Sequence, residues 1–175
     1  MKKISLLLTV IVLTCTAAFA QITREQSVAE WTRAKAYTKA YLDAMPADGY
    51  ALKPTPEMRN FAQQMLHLAD GNYGLVTTAS GKDSPLGKGV SAEKTIAQTK
   101  EATSKAVLDS YDFVIATIQG MTDAQMQEEV AMGPTRKSTR GLILAKTFEH
   151  QTHHRGQTTV YLRLKGVTPP QEMLF

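Results

Sequence analysis

Four histidines are the residues of this chain best suited to chemistry, and all four fall in segments with a helical apolar pattern. His150 and His154 are four residues apart, so on a helix their rings lie on one face about one turn apart and can share a metal ion. At about 100° per residue, His154 lies about 40° from His150, and His153 lies about 60° away on the other side. The helical geometry therefore favours His154 and leaves His153 as an alternative.

A third metal ligand has to come from another helix. His67 is the remaining histidine, and it lies near the middle of an earlier helical segment that could pack beside the first pair. Three neutral imidazoles would leave a divalent ion an open position, as in catalytic zinc sites. Such an ion can lower the pKa of bound water from 15.7 to about 7, or ionise a substrate thiol. The competing interpretation is that these histidines only pack in the core or face solvent.

Residues close to His150 and His154 are candidates for orienting the rings or for packing the helix. Gln157, Glu149 and Thr147 carry polar groups that could hydrogen-bond to metal-binding imidazoles. Arg155 is predicted to pair with a carboxylate on a neighbouring helix, and the alternative is that it faces an anionic substrate. Gly156 is predicted to mark the close approach of another helix, because glycine inside a helix costs about 1 kcal/mol relative to alanine.

Apolar residues recur at three- and four-residue intervals through most of the chain, with no sustained alternation of strand type. The fold class is therefore all-α, and four amphipathic helices of this length favour a four-helix bundle. A short helix capped by Thr122 and a loop over 136–139 are expected before the last helix. The four long helices are predicted at about Thr23 to Ala44, Thr55 to Ala79, Ser91 to Gly120 and Thr139 to Lys165.

The run from His150 to Gln157 reads His-Gln-Thr-His-His-Arg-Gly-Gln, and Tyr161 to Gly166 reads Tyr-Leu-Arg-Leu-Lys-Gly. Together with His67 on an earlier helix, these motifs resemble the DinB-like superfamily. The resemblance implies a four-helix bundle in which His67, His150 and His154 hold a divalent metal, most often zinc or nickel. It also implies a homodimer as a common assembly. Related groups are thiol-dependent transferases or isomerases.

The N-terminus has the three parts of a secretory signal. Lys2 and Lys3 precede an apolar stretch from Ser5 to Thr14, and Ala18-Phe19-Ala20 supplies the small residues of a cleavage site. We therefore expect a signal peptide over residues 1–20, a single DinB-like domain over residues 21–175, and a secreted or periplasmic protein. Lipid attachment at Cys15 is less favoured, because Thr14 fits that motif poorly. The apolar run is short for a membrane helix, so no stable membrane insertion is expected after its removal.

Composition excludes several other functions. Removing the two signal lysines lowers the net charge from +4 to about +2, and scattered basic residues do not indicate nucleic-acid binding. The only cysteine lies in the signal, which excludes cysteine catalysis in the mature chain. The hypothesis is an exported metal-dependent hydrolase or thiol transferase acting on an unknown small molecule. Because low-molecular-weight thiols are scarcer outside the cytoplasm, export weighs against thiol transfer. The alternative is a non-enzymatic metal-binding or interaction protein with a vestigial site.

Overall fold

Four long helices form the body of the protein in a computed structural model that describes residues 22–175. The predicted signal peptide and its cleavage site lie outside the described residues. The all-α bundle is confirmed, and the described residues add two short α-helices, one 3-10 helix and one small hairpin between its long members. In chain order the elements are α1 (Arg24–Ala44), a 3-10 helix (Ala47–Gly49), α2 (Phe61–Ser80), α3 (Ala92–Thr95), α4 (Lys100–Gln119), α5 (Asp123–Gln127), β1 (Glu129–Ala131), β2 (Lys137–Thr139) and α6 (Arg140–Leu164).

The core lies where α2 packs on α4 and α6 and where α1 packs on α4. Trp31 is 1% exposed, and its ring meets Tyr111 and Phe148 edge-on at centroid distances of 5.6 and 5.2 Å. Trp31 is therefore a core residue. Among the described residues, no helix is both long enough and apolar enough to span a membrane.

The predicted limits of α1 and α6 agree with the structure to within one residue, but the predicted start of α2 is wrong. Asn60 caps α2 by accepting a hydrogen bond from the Gln63 backbone N–H, and the Gln63 side chain accepts from the Asn60 N–H. The backbone N–H groups of Phe61 and Ala62 donate to carbonyls of the preceding loop, at Leu52 and Tyr50. The helix therefore begins at Phe61 rather than at Pro56.

The single helix predicted from Ser91 to Gly120 is two helices. The carboxylate of Asp70, on α2, accepts hydrogen bonds from the Ser91 hydroxyl and from the backbone N–H groups of Ala92 and Glu93, so it caps α3. Thr99 then caps α4 through the Ala102 N–H. The cap of α3 comes from α2, so the periodicity of the segment does not reveal it.

The segment before α6 contains strands where a loop was predicted. Residues Glu129 to Ala131 pair antiparallel with Lys137 to Thr139. Each strand has three residues and none is fully buried, which is too short for a recognisable alternation. The short helix capped by Thr122 is confirmed as α5.

Candidate metal centre

His67, His150 and His154 meet between α2 and α6. The ring centroid of His154 lies 4.6 Å from that of His67 and 4.3 Å from that of His150. His67 and His150 are 5.4 Å apart by the same measure. Each ring offers one nitrogen such that the three nitrogens lie within 4.8 Å of one another. The i,i+4 spacing aligns the pair on α6, and the packing of α2 on α6 brings the third ring to them.

His153 lies outside this cluster. Its ring centroid is 4.9 Å from that of His154, but its side chain is exposed on the outer side of α6. Its Nε2 atom lies 2.7 Å from the side-chain nitrogen of Gln157. His153, the alternative that the helical geometry left open, therefore does not face α2.

The electrostatics of the cluster keep its inner rings neutral. Burial lowers the pKa of His154 to about 3, assisted by the positive charges that His150, His67, His153 and Arg59 would present to it. Burial, followed by the charges of His67, His153 and Arg59, also lowers the pKa of His150. Both imidazoles are thus uncharged at neutral pH, which is the form that binds metal ions.

His150 carries an unsatisfied polar atom. Its Nδ1 is buried and has no hydrogen-bond partner among residues 22–175. Buried ring nitrogens are normally paired, because an unpaired one loses its bond to water without replacement. A metal ion bound to this nitrogen would remove that deficit, and in that arrangement the donor set fits a divalent cation.

Gly71 makes room for the His150 ring. A Cβ atom at position 71 would overlap Cε1 and Nδ1 of His150 and would lie 3.0 Å from its Nε2. Gly71 is four residues after His67 on α2, so one face of this helix supplies both a ring and the space for another. The predicted role of Gly156 is wrong, because a Cβ there meets nothing within 4 Å in the described part of the chain.

Two carboxylates hold the His67 side of the cluster. Oε2 of Glu93 lies 3.4 Å from Nδ1 of His67, and Oε1 of Glu93 accepts a 2.9 Å hydrogen bond from Nε of Arg59. Asp70 places Glu93 there by capping α3. With Nδ1 of His67 facing a carboxylate, Nε2 is the nitrogen left for a metal.

Gln64 contacts the ring of His154. Its side-chain nitrogen lies 2.9 Å from Nδ1 of His154, and it also hydrogen-bonds to Gln157. Gln157 was a sequence candidate, and among the described residues it reaches the cluster through Gln64, while its side-chain nitrogen contacts His153 outside the cluster. Glu149 and Thr147 do not reach the cluster, since Glu149 pairs with Lys146 in solvent and the Thr147 hydroxyl donates to the Ile143 carbonyl.

The sequence matches the model of the DinB family over residues 16–173. The chain belongs to the DinB family. Among the curated proteins, none matches this sequence.

Three solved structures share the DinB fold seen here. A DinB-like protein from Bacillus cereus ATCC 10987 is 19% identical, with a TM-score of 0.72 over 85% of this chain and 96% of that one. A DinB-like protein from Bacillus subtilis is 18% identical, with a TM-score of 0.68 over 86% and 96%. A conserved protein from Enterococcus faecalis is 17% identical, with a TM-score of 0.68 over 83% and 98%. At these identities the likeness shows the fold alone.

Arg155, within the DinB-like motif, is a core residue without the predicted salt bridge. It is 6% exposed and makes no ion pair in the part of the chain that the structure describes. Its guanidinium lies over the Tyr37 ring, 4.4 Å from the centroid, and donates to Oε1 of Gln151 at 3.0 Å. Tyr111 donates to the same oxygen at 2.8 Å. Arg155 therefore joins α1 and α4 to α6 through an aromatic ring and an amide.

Replacing Arg155 with alanine is expected to lower the free energy of unfolding by at least about 2 kcal/mol, because a buried side chain and its stacking contact are both lost. Urea unfolding of the two proteins would measure the difference. Arg163→Ala, on the exposed face of the same helix, should change it by less than about 0.5 kcal/mol. Equal effects of the two substitutions would contradict a packing role for Arg155.

Proposed function

We propose that this DinB-family protein binds one divalent metal ion, zinc or nickel, through His67, His150 and His154. The observation that carries the proposal is the meeting of three imidazole nitrogens within 4.8 Å, two of them on rings whose pKa is held low. The unpaired Nδ1 of His150 and the space left by Gly71 support it. A histidine that only fills a core normally has its buried ring nitrogens paired.

We propose further that the protein is exported and acts as a metal-dependent hydrolase on a small molecule. A metal ion bound by three histidines supplies a Lewis acid and can make water a nucleophile near neutral pH. The protein's own residues position the metal ligands, since Glu93 and Gln64 orient two of the three histidine rings. A polar cavity of about 490 Å³ is lined by both Glu93 and Gln64, and it is the space in which we propose that a substrate binds.

Metal uptake by residues 21–175, purified without a histidine tag, is the direct test. We expect close to one equivalent of zinc or nickel by elemental analysis, because the described residues bring three histidines to one place. The melting temperature should rise with added zinc and fall with chelator, since zinc at about 1,000 times its Kd stabilises a protein by about 4.1 kcal/mol. Absence of bound metal after supply of both ions would contradict the proposal.

Hydrolysis is tested on the same preparations. The zinc-loaded chain should cleave 4-nitrophenyl esters faster than the chelator-treated chain, and restoring the metal should restore the rate. One equivalent of bound metal without any metal-dependent hydrolysis of such esters, or of a panel of amides and lactones, would favour the non-enzymatic alternative.

Replacing Glu93 with glutamine is expected to weaken zinc binding about tenfold, because the neutral amide no longer offers His67 a charged acceptor. Competition with a chromophoric chelator would measure the two affinities. The matched control is Glu149→Gln, which removes a carboxylate next to His150 in sequence whose one ion pair among residues 22–175 is with Lys146. An equal loss in both variants would show that overall charge, rather than the contact with His67, accounts for the effect.

A further inference from the structure

The polar cavity beside the histidines is lined by charged and amide side chains. Its walls include Gln64 and Glu93, which contact His154 and His67, so the cavity opens directly beside the proposed metal centre. Lys53 and Arg59 supply two cations to the same walls, and Gln63 adds a side-chain amide. The lining is thus rich in groups that donate hydrogen bonds.

Arg59 has hydrogen-bond donors that no described residue uses. Its Nε donates to Glu93, while its two terminal nitrogens have no hydrogen-bond partner among residues 22–175. The planar guanidinium can present these nitrogens as a pair to a carboxylate or phosphate group. Its charge also contributes to the lowered pKa values of His150 and His154, which agrees with a position close to the rings.

The backbone around Arg59 is held from three sides. Its carbonyl oxygen accepts a 2.7 Å hydrogen bond from the Tyr161 hydroxyl on α6. The next residue, Asn60, donates from its side chain to Gln98 at 2.8 Å, and the Phe61 N–H donates to the Leu52 carbonyl at 3.1 Å. Glu93 fixes the guanidinium itself. A binding group positioned in this way loses little conformational freedom when a ligand arrives.

The cavity lining also includes two carboxylates, Glu57 and Glu93, which equal Lys53 and Arg59 in number. Glu93 shares its oxygens between Arg59 and His67, and Glu57 is an exposed residue whose pKa is lowered by its own backbone and by Thr55. The formal charges of the lining therefore balance, and the case for an anion rests on the paired terminal nitrogens of Arg59, with a divalent cation at the histidines adding positive charge nearby.

We infer that Arg59, assisted by Lys53, binds an anionic oxygen group of the substrate, a carboxylate or a phosphate, while the reacting part of the substrate faces the histidines. This inference rests on the proposed function, because it assigns a substrate class to that site. The substrates are accordingly small acids, in which the anionic group sits a few bonds from the group that is cleaved.

The test uses the metal-free chain, residues 21–175, with inorganic phosphate and acetate as probes at constant ionic strength. Titrations followed by ¹H–¹⁵N correlation spectra should show saturable shifts for the amides of Gln63 and Gln64 and for the Arg59 side chain. Arg59→Gln should weaken binding of the preferred probe at least tenfold. Arg59→Lys, which keeps the charge and loses the paired donors, should weaken it about threefold. The probe that binds more tightly shows whether the site prefers a phosphate or a carboxylate group.

Arg163→Gln is the matched control, because it removes one arginine from an exposed position of α6 outside the cavity lining. Absence of saturable shifts around Arg59 with either probe would overturn the inference, as would an equal loss in Arg163→Gln. A parallel zinc titration separates the two proposals. Zinc binding without anion binding would support the metal centre and contradict the anion subsite. Anion binding without zinc binding would support the anion subsite and contradict the metal centre.

Discussion

Alanine in place of His154 is expected to weaken zinc binding by about a hundredfold or more. Replacing residues that only orient metal ligands costs 10- to about 100-fold, so loss of a ligand should reach or exceed the upper end of that range. His154 has the central ring of the cluster, within 4.6 Å of both other centroids. Zinc titration monitored by a competing chelator would give the affinity, and elemental analysis would give the stoichiometry.

The neighbouring histidine supplies the control for this prediction. His153→Ala removes an exposed ring that hydrogen-bonds to Gln157, so zinc affinity should stay within about threefold of the native value. Equal losses in the two variants, or retention of one equivalent of metal with native affinity in His154→Ala, would contradict the assignment of His154. Circular dichroism would show that both chains remain helical.

Alanine in place of Gly71 is expected to disrupt the metal centre without touching any ligand. The added methyl group would overlap Cε1 and Nδ1 of His150, so the ring, or the contact between α2 and α6, has to move. Overpacking of this kind costs about 1–3 kcal/mol, against a helix-propensity gain of about 1 kcal/mol. We expect zinc affinity to fall at least about tenfold, with a net loss of stability in urea.

Gly74, one turn further along α2, is the matched control. A Cβ atom at this position meets nothing within 4 Å in the described residues, and the residue is exposed. Gly74→Ala should therefore raise the free energy of unfolding by about 0.5–1 kcal/mol and leave zinc affinity unchanged. If Gly71→Ala behaved in the same way, the close approach of His150 to α2 would not be a feature of the molecule in solution.

Local sequence determined the long helices well. Thr23 accepts from the Gln26 N–H and Thr139 accepts from the Leu142 N–H, so the starts of α1 and α6 depend on residues three positions apart. Signals of this kind can be recognised from the amino-acid sequence alone. The pairing of His150 with His154 is equally local, because the helical repeat alone places both rings on one face.

Tertiary contacts decided the elements that were predicted wrongly. The first N–H groups of α2 are taken by Tyr50 and Leu52, and α3 is capped by Asp70 from more than twenty residues away. These partners leave no periodic trace in the segments that they shape. The starts of α2 and α4 also carry local caps, at Asn60 and Thr99, but the packed structure decided that α2 does not begin at Pro56 and that α3 is separate from α4.

The candidate metal centre likewise has residues that the sequence identified and residues that only the tertiary structure revealed. Residue type and spacing determined that His67, His150 and His154 were candidates, because imidazoles one turn apart on a helix are chemically recognisable in sequence. Gly71, Gln64 and Glu93 were missed, since each acts on a ring 79, 90 or 26 residues away. Only the packing of α2 on α6, and of α3 against α2, decides which ring each of them meets.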